Sequence, residues 1–330
     1  MKILIVGLGS VGRRHLRNLV ALGQTDLVLL RSGKSTLPDE ELKGFEAVTN
    51  IDAALRGKPE AAVIATPTAL HLQTAIPLAR AGCHLLLEKP VSHSMEGVEG
   101  LQEAVREGGG KVMVAFQYRH HPGLLTVRRW LKDGAIGRPL GAHAHYGDYL
   151  PAWHSWEDYR KSYSARADLG GGVVLTLCHP LDYMLWLMGN VTQVAGMTTA
   201  EAGMGMDVED SAQASLRFAS GALGGVHLNY VQRPASHHLT VVGADGTITW
   251  DQSDGAARLF RAGDGACDVA EVPAGYERND MFVAEMRTFL DVVAGKAVAE
   301  PTLADGIRSL QLALAILESA RLGRRIDLAG

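Results

Sequence analysis

The sequence predicts an α/β domain with a doubly wound parallel sheet, followed by an α+β domain with a large, mainly antiparallel open sheet. Over about the first 120 residues, short apolar runs alternate with helical segments, which is the pattern of a parallel sheet. After Pro122, strand-like stretches follow one another with few helices between them. We therefore expect one domain over residues 1–121 and a second over residues 122–330.

The first domain is expected to contain six strands and four helices. Asn50 and Thr68 are candidate helix N-caps, and Gly23 and Gly82 are candidate helix stops. The expected strands are 2–7, 26–31, 45–49, 60–65, 83–88 and 111–116, and the expected helices are 10–23, 50–57, 68–82 and 94–108.

The second domain is expected to form a sheet backed by helices. Hairpin signals such as Ser220-Gly221 and Asp245-Gly246 separate neighbouring strands. The expected strands are 139–148, 192–200, 209–218, 221–231, 237–243, 246–250, 256–260 and 268–272. Helices are expected at 123–133, at 172–188 and at 302–321, the last either within this domain or packed back on the first.

The opening strand leads directly into a glycine-rich loop and a helix. In this context Gly7, Gly9 and Gly12 form the Gly-x-Gly-x-x-Gly fingerprint of a dinucleotide-binding Rossmann domain. Ser10 and Val11 begin the helix, whose amino end favours phosphate charge. With 38 glycines in the chain the motif alone is weak, but its place after a strand favours cofactor binding over coincidence.

The end of the second strand indicates which nicotinamide cofactor is bound. An enzyme that selects NAD usually has an acid there for the ribose hydroxyls, whereas this chain has Arg31, Ser32 and Lys34. Cationic side chains suit a 2′-phosphate, so we favour NADP over NAD. An arginine at this position also stacks on adenine, which keeps NAD as the alternative.

Glu88, Lys89 and Pro90 follow a short, continuous apolar run that is typical of a buried strand. Lys89 is therefore expected at the carboxyl edge of the parallel sheet, where ligands bind in open α/β folds. Partial desolvation and a nearby cationic ring lower a lysine pKa and suit it to proton transfer. The alternative is an ordinary surface lysine at the end of a strand.

Composition limits the partners. The net charge is −4 and no basic run stands out, which argues against nucleic acid and acidic membranes. The cysteines Cys83, Cys178 and Cys267 are scattered, which indicates a reducing compartment. No apolar run reaches the ~18 residues of a spanning helix, and the early first strand leaves no room for a signal peptide, so a cytoplasmic protein is expected.

Two further features concern the second domain. The stretch from Tyr146 to Tyr163 is rich in aromatic and charged residues, and Trp153 and Tyr163 are candidate substrate contacts. The alternative is an aromatic patch of the core or an interface. His143 and His145 alternate on one strand face, but no third ligand is in view, so no metal is expected.

Several motifs in order resemble one known family. They are Gly7-x-Gly9-x-x-Gly12-x-x-His15, Ala65-Thr66-Pro67-Thr68-x-x-His71, Glu88-Lys89-Pro90, Gln117-Tyr118-Arg119, Gly170-Gly171-Gly172, His179-x-x-Asp182 and Glu300-Pro301-Thr302-x-x-Asp305-Gly306. This series resembles the glucose–fructose oxidoreductase, inositol dehydrogenase and rhizopine catabolism (Gfo/Idh/MocA) family. The resemblance implies a Rossmann domain and a sheet domain that often forms the interface of a homodimer or homotetramer. It also implies a sugar-like or polyol substrate.

The resemblance also implies residue roles. Lys89 matches the family's acid/base lysine, and His179 resembles its active-site histidine. Glu88 either orients Lys89 or contacts the cofactor, with a buried pairing carboxylate as the equal alternative. Thr66, Pro67 and His71 correspond to the cofactor site, although His71 is equally interpreted as a helix-surface histidine. Arg119 resembles an arginine near nicotinamide or substrate, with a solvated loop arginine as the alternative.

One position departs from the family pattern. Family members often have an aspartate one helical turn before the histidine, and this chain has Thr176 there, as a candidate substrate contact. Threonine forms hydrogen bonds but carries no negative charge. Asp182, three residues after His179, either holds the imidazole or is an ordinary helix-face acid. His179 itself or another acid, such as Asp168, is a candidate to compensate.

The leading interpretation is an NAD(P)-dependent oxidoreductase that acts on a sugar, an amino sugar or a cyclic polyol, with Lys89 as acid/base. One alternative is a non-catalytic sensor of the same fold, against which Lys89 argues. Another is an enzyme that eliminates from a glycoside and uses its cofactor only transiently.

Overall fold

The computed structural model describes residues 1–33, 37–154, 156–263 and 265–328. The chain divides into two compact units. The first comprises Met1–Gln117, Asp168–Gly170 and Arg278–Leu310. The second comprises Tyr118–Ala167, Gly171–Glu277 and Gln311–Gly330.

The predicted elements occur in the predicted order, apart from the segment 172–188, and the structure adds a helix at Arg278–Val293 and a strand at Ile326–Asp327. The strands are β1 (Ile3–Val6), β2 (Leu27–Leu30), β3 (Glu46–Val48), β4 (Ala61–Ile64), β5 (His84–Glu88), β6 (Val112–Ala115), β7 (Pro139–Tyr149), β8 (Val191–Thr199), β9 (Ser211–Phe218), β10 (Leu223–Asn229), β11 (Val231–Gly243), β12 (Gly246–Asp251), β13 (Ala257–Arg261), β14 (Cys267–Ala270) and β15 (Ile326–Asp327). The helices are α1 (Ser10–Ala21), α2 (Ile51–Arg56), α3 (His71–Arg80), α4 (Val98–Gly108), α5 (Pro122–Lys132), α6 (Val173–Thr176), α7 (His179–Met188), α8 (Arg278–Val293) and α9 (Leu303–Leu322).

The first unit contains a six-stranded parallel sheet of order β3-β2-β1-β4-β5-β6. This confirms the predicted doubly wound fold. The strand order reverses between β1 and β4, and ligands of such sheets bind outside the carboxyl ends of the strands at that point. β1, β2, β4 and β6 are buried along their whole length, as expected for strands covered on both faces.

The helix boundaries show which local signals were informative. Asn50 caps α2 by accepting a hydrogen bond from the Ala53 amide at 2.9 Å, and Gly23 and Gly82 follow helix ends with positive φ. Thr68 instead begins a short 3₁₀ helix, and α3 starts only at His71. α4 starts at Val98 rather than at residue 94.

The single helix expected at 172–188 is wrong, because the structure has two helices there, α6 and α7. The segments 167–176 and 179–188 are bent by 48°. Pro180 explains the break: it has no amide hydrogen to donate to Thr176, and its ring would clash with the carbonyl four residues earlier. Proline is tolerated in the first helical turn, so a new helix begins at His179.

Among the described residues, no single helix is long and apolar enough to cross a membrane. The bent pair 167–176 and 179–188 meets that test only when its two parts are combined, and only by length and composition.

Helix α8 was not predicted, although its apolar residues recur at helical spacing. Its buried side chains include Met281, Phe282, Met286 and Phe289. Met286 and Phe289 pack into the apolar core around β1, β2 and β4. A segment that is late in the sequence therefore completes the first unit.

The second unit contains a nine-stranded sheet of order β14-β13-β12-β11-β7-β10-β9-β8-β15. All neighbours are antiparallel except β10 and β7, so the predicted mainly antiparallel sheet is confirmed. Alternation along the strands gives the sheet a buried face, which contacts α5, α6 and α7. The opposite face carries exposed residues, among them His143, Met197, Leu223, Val242 and Phe260.

Helix α8 also brings an acid into the core of the first unit. Glu285 is 0% exposed, and within the described part of the chain neither of its carboxyl oxygens has a hydrogen-bond partner. Burial, with a smaller contribution from the charge of Glu88, raises the pKa of Glu285 well above its usual range. The folded protein therefore holds a proton that the unfolded chain releases above about pH 4.5.

This proton gives stability a definite pH dependence. Because the pKa of Glu285 is higher in the folded than in the unfolded protein, its protonation stabilises the fold fully at low pH. This contribution to the free energy of unfolding is lost as the pH rises through the folded pKa. Stability should therefore fall by about 1.4 kcal/mol for each pH unit within that window. We expect Glu285→Gln to unfold near the parent's temperature at pH 5 and at a higher temperature at pH 8. Equal pH slopes for the variant and the parent in thermal unfolding would contradict this, with the exposed Glu318→Gln as control.

Candidate active site

The glycine-rich loop has a shape that only glycine allows at two positions. Gly7 has φ +87°, and a Cβ there would lie 2.6 Å from the Ala65 carbonyl oxygen. A Cβ on Gly12 would lie 2.0 Å from the Gly7 carbonyl oxygen. By contrast, nothing lies within 4 Å of a Cβ on Gly9, so open space adjoins the loop.

This open space lies at the amino end of α1. Gly9 is the N-cap of α1, and no side chain caps the helix. The first amides of the helix therefore suit an anionic ligand. After β4, the Thr66 hydroxyl is buried and, among the described residues, has no hydrogen-bond partner. An uncapped helix start, an open cradle and an unsatisfied hydroxyl fit a dinucleotide.

His71 connects two loops of the first unit. Its Nδ1 lies 2.9 Å from the Pro90 carbonyl oxygen and its Nε2 lies 3.0 Å from that of Thr66. The side chain is buried, so the alternative of a helix-surface histidine is wrong. Burial lowers the pKa of His71 below its ordinary value. His71 thus holds the loop with Thr66 and Pro67 against the loop that follows Lys89.

Arg31 follows β2 and is paired with an acid. Its Nη2 lies 2.6 Å from Asp39 Oδ2. Ser32 follows it along the chain, and Lys34, the third residue predicted here, lies outside the described residues. The acidic partner of Arg31, Asp39, was not predicted from the sequence.

Lys89 directly follows the carboxyl end of β5, as predicted, and is half-buried. The Glu88 carboxylate before it is 8% exposed, lies 2.8 Å from His15 Nε2 and accepts a hydrogen bond from the Lys89 amide at 3.3 Å. Burial alone would raise the pKa of Glu88, but the His15 hydrogen bond and neighbouring positive charges lower it. Glu88 is therefore an anion, fixed directly behind the lysine.

Arg119 lies in a 3₁₀ turn after β6 and forms a buried ion pair in the second unit. Its Nε and Nη2 donate to the two Asp182 carboxylate oxygens at 2.9 and 2.6 Å. Both side chains are buried, and the guanidinium lies 5.5 Å from the Trp186 ring. The alternative of a solvated loop arginine is therefore wrong. The helical spacing of Asp182 from His179 left open whether this acid holds the imidazole. The structure shows that it binds Arg119.

His179 opens α7 and contacts an aromatic cluster that sequence reasoning largely missed. Its ring meets Tyr118 edge-on at 4.8 Å, and Tyr118 meets His237 at the same distance. His237 stacks on Tyr146 at 4.0 Å, and its Nε2 forms a hydrogen bond with the Tyr183 hydroxyl at 3.2 Å. Residues from β7, α7, β11 and the turn after β6 form this cluster, so no local pattern predicts it.

Thr176 is buried on α6, and an acid lies at the start of the same helix. Glu209 Oε1 accepts a hydrogen bond from the Val174 amide at 3.0 Å and lies where a Cβ on Gly172 would otherwise stand. Burial raises the pKa of Glu209. The hydroxyl of Tyr230 donates to the Gly172 carbonyl at 2.9 Å and interacts with Thr176. Glu209 is a functional candidate that the sequence analysis missed.

The two aromatic candidates of the 146–163 segment lie in the second unit. Trp153 is half-buried and meets the Tyr230 ring edge-on at 5.8 Å. Tyr163 is half-buried in a 3₁₀ turn that precedes Gly170 to Gly172. Trp153 therefore shares Tyr230 as a neighbour with Thr176.

The paired histidines of β7 belong to a larger group on the exposed sheet face. His145 Nδ1 lies 3.1 Å from His227 Nδ1, and its ring stacks on His238 at 5.0 Å. Burial, together with these two neighbours, lowers the pKa of His145 to about 4. No three His, Cys, Asp or Glu side chains within the described ranges are arranged to hold a metal ion.

Both halves of the chain match models of known protein families. Residues 1–116 match the model described as an oxidoreductase family with an NAD-binding Rossmann fold. Residues 124–249 match the model of the GFO/IDH/MocA C-terminal domain. Together these matches cover well over half of the chain.

Individual proteins are similar over most of their length. Levoglucosan dehydrogenase of Pseudarthrobacter phenanthrenivorans is 27% identical over 86% of this chain and 84% of its own. Inositol 2-dehydrogenase of Rubrobacter xylanophilus is 27% identical over 97% and 90%. The structure of levoglucosan dehydrogenase with NADH and levoglucosan superposes with a TM-score of 0.90 over 100% of both chains. At 22% sequence identity, this structural likeness shows the fold alone.

Two glycines of the loop should respond differently to alanine. Because the Gly12 Cβ would meet the Gly7 carbonyl at 2.0 Å, we expect Gly12→Ala to lower the unfolding temperature. Gly9→Ala should fold with parent stability, since its Cβ meets no atom within 4 Å. Its methyl group should nevertheless weaken NADH binding by about tenfold or more in a fluorescence titration, because it occupies the space beside the helix start. Parent-like NADH affinity of Gly9→Ala would contradict the assignment of this loop.

Asp182→Asn should strongly destabilise the second unit. The substitution leaves the buried Arg119 charge without its anion, at a cost of roughly 3–5 kcal/mol. Denaturant unfolding followed by fluorescence measures this loss. The control is Asp158→Asn, whose ion pair with Arg160 is exposed and should matter little. Equal effects of the two variants would show that the buried pair is not a major stabilising contact.

Proposed function

This chain belongs to the Gfo/Idh/MocA oxidoreductase family, and we propose that it transfers hydride between nicotinamide and a carbinol or keto carbon of a sugar, an amino sugar or a cyclic polyol. The observation that carries the proposal is the position of Lys89. It follows β5 at the carboxyl edge of the doubly wound sheet, with an anionic Glu88 behind it.

Lys89 is the proposed acid/base. Oxidation of a carbinol removes a hydroxyl proton as the carbon loses hydride, and a lysine amine accepts that proton; reduction reverses the transfer. Glu88 acts as an orienting group, since its carboxylate is held by His15 and by the Lys89 amide. This arrangement fixes the backbone from which the lysine side chain extends.

The first unit, which contains nearly all of the proposed domain 1–121 together with residues 168–170 and 278–310, is the proposed cofactor-binding part. Gly7, Gly9 and Gly12, with the Ser10 and Val11 amides at the start of α1, would hold the diphosphate. Thr66, with its unsatisfied hydroxyl, and Pro67 would line the site, and His71 would hold their loop in place. When bound, the nicotinamide supplies the hydride acceptor or donor.

NADP is the proposed cofactor in preference to NAD. Arg31 and Ser32 offer a guanidinium and a hydroxyl directly after β2, where an NAD enzyme usually has an acid. A guanidinium forms charge-assisted hydrogen bonds with a 2′-phosphate. The family description names NAD, which the same site would bind through its ribose hydroxyls.

The second unit, which contains most of the proposed domain 122–330 but not residues 168–170 and 278–310, is assigned to the substrate. His179, Thr176 and Arg119 are the proposed polar contacts, and Trp153 and Tyr163 the proposed aromatic ones. The relatives named for levoglucosan and inositol support a substrate with several hydroxyl groups. In this assignment the buried pair with Asp182 would hold the Arg119 guanidinium in position. Glu209, which accepts a hydrogen bond from the Val174 amide, is a further candidate acid at the helix that carries Thr176.

The exposed sheet face of the second unit is the proposed interface of a homodimer or homotetramer. Its exposed apolar side chains, such as Met197 and Leu223, support this assignment. The cytoplasm is the proposed compartment, supported by cysteines that are all free thiols.

A substrate screen tests the proposed function. Sugars, amino sugars, inositols and their keto forms are offered with NADP(H) and with NAD(H), and the absorbance of reduced nicotinamide is followed. Turnover with at least one polyol is expected. Nucleotide binding without turnover would favour the sensor alternative, and product formation without net change in absorbance would favour transient cofactor use.

Lys89→Ala should lose turnover and keep cofactor binding. A positioned acid/base contributes roughly 10²–10⁴-fold to the rate, so kcat should fall by that factor while the Kd for NADH stays within a few-fold. The matched control is Lys111→Ala, an exposed lysine immediately before β6, at the amino edge of the same sheet. Turnover of Lys89→Ala within a few-fold of the parent would remove Lys89 from the mechanism.

A further inference from the structure

Leu37 and Pro38 are anchored to the glycine-rich loop by a buried arginine. Arg13 is 3% exposed, and its guanidinium donates to the carbonyl oxygens of Leu8 at 3.0 Å, Leu37 at 3.1 Å and Pro38. A few residues later, Leu42 is buried in the apolar core of the first unit. Contacts on both sides therefore fix the backbone at residue 39.

These anchors hold Asp39 against Arg31. Asp39 Oδ2 accepts a hydrogen bond from Arg31 Nη2 at 2.6 Å, and its Oδ1 lies 3.7 Å from Arg13 Nη2. One carboxylate thus meets two guanidinium groups. The Arg31 hydrogen bond lowers the pKa of Asp39, so the carboxylate is charged at neutral pH.

An anion at this place affects one part of the cofactor. Residues directly after β2 of a doubly wound sheet contact the adenosine ribose, where the two cofactors differ by a 2′-phosphate. The 2′-phosphate would hydrogen-bond the Arg31 guanidinium, which already donates a hydrogen bond to Asp39. In addition, the carboxylate repels the phosphate, so both effects weaken NADP binding more than NAD binding.

We propose that Asp39 is a specificity-determining residue that competes with the 2′-phosphate of NADP for Arg31. The carboxylate compensates the charge of Arg31 when NAD is bound and must be displaced when NADP is bound. The enzyme consequently accepts both cofactors, with a smaller preference for NADP than Arg31 alone would give. This inference rests on the proposed function, because it requires that the first unit bind the dinucleotide.

Asp39→Asn tests the competition by binding alone. Kd values for NADPH and NADH are measured by fluorescence titration, and adenosine 2′,5′-bisphosphate and AMP serve as probes without nicotinamide. We expect NADPH and the bisphosphate to bind about tenfold more tightly to the variant, with NADH and AMP within about twofold. The control is Glu40→Gln, which removes the same charge one residue later from an exposed acid that pairs with Lys43.

A second variant isolates the role of Arg31. In an Arg31→Ala background, Asp39→Asn should lose most of its tenfold effect, because no guanidinium remains to be released. Rising ionic strength should weaken NADPH binding to Asp39→Asn more steeply than NADH binding.

The possible failures are distinguishable. If the parent binds neither NADPH nor NADH, the proposed function is wrong and the inference with it. If both bind but Asp39→Asn leaves their Kd ratio unchanged, or Glu40→Gln changes it equally, the competition is refuted and the proposed function stands. Asp39 is exposed, so the variant should fold, and its unfolding temperature checks this.

Discussion

The hydrogen bond between His15 Nε2 and the Glu88 carboxylate joins residues 73 positions apart and links the two functional elements of the first unit. His15 lies on α1, which begins at the glycine-rich loop, and Glu88 ends β5, immediately before Lys89. A buried carboxylate is costly unless a partner compensates it, so helix and strand must keep this relation. The loop that would hold the cofactor and the lysine that would move the proton are thereby positioned together.

The Glu88 carboxylate also affects the protonation of a second buried acid, Glu285. Glu285 is buried in this unit, and two carboxylates cannot both be charged in an apolar core, so the one without a partner keeps its proton. Glu88 is charged because His15 binds it. One hydrogen-bonded contact thus distinguishes the two acids, and α8 supplies the acid without such a partner from far along the chain.

In the second unit, too, a buried carboxylate has a partner that compensates it. Arg119 and Asp182 form a bidentate pair beneath Trp186, and this pair connects the turn after β6 with α7, the helix that begins at His179. The ring of Tyr118 contacts this histidine and also contacts His237, which stacks on Tyr146. Asp182 is therefore engaged by Arg119, and the acid that contacts the start of α6, the helix of Thr176, is Glu209.

The sequence by itself determined the doubly wound sheet, the glycine-rich loop, the place of Lys89 and the antiparallel second sheet. These features depend on local pattern: strand and helix periodicity, glycine spacing and the order of elements. Pro180 also marked a local break between α6 and α7, although the apolar run around it favoured one helix. Only the tertiary structure decided which polar and charged side chains are partners. Folding brings three pairs within hydrogen-bond distance: His15 with Glu88, Arg119 with Asp182, and Arg31 with Asp39. The first two pairs are buried, and a buried charge without a partner is costly. No sequence pattern records that cost, because it depends on which residues the fold buries.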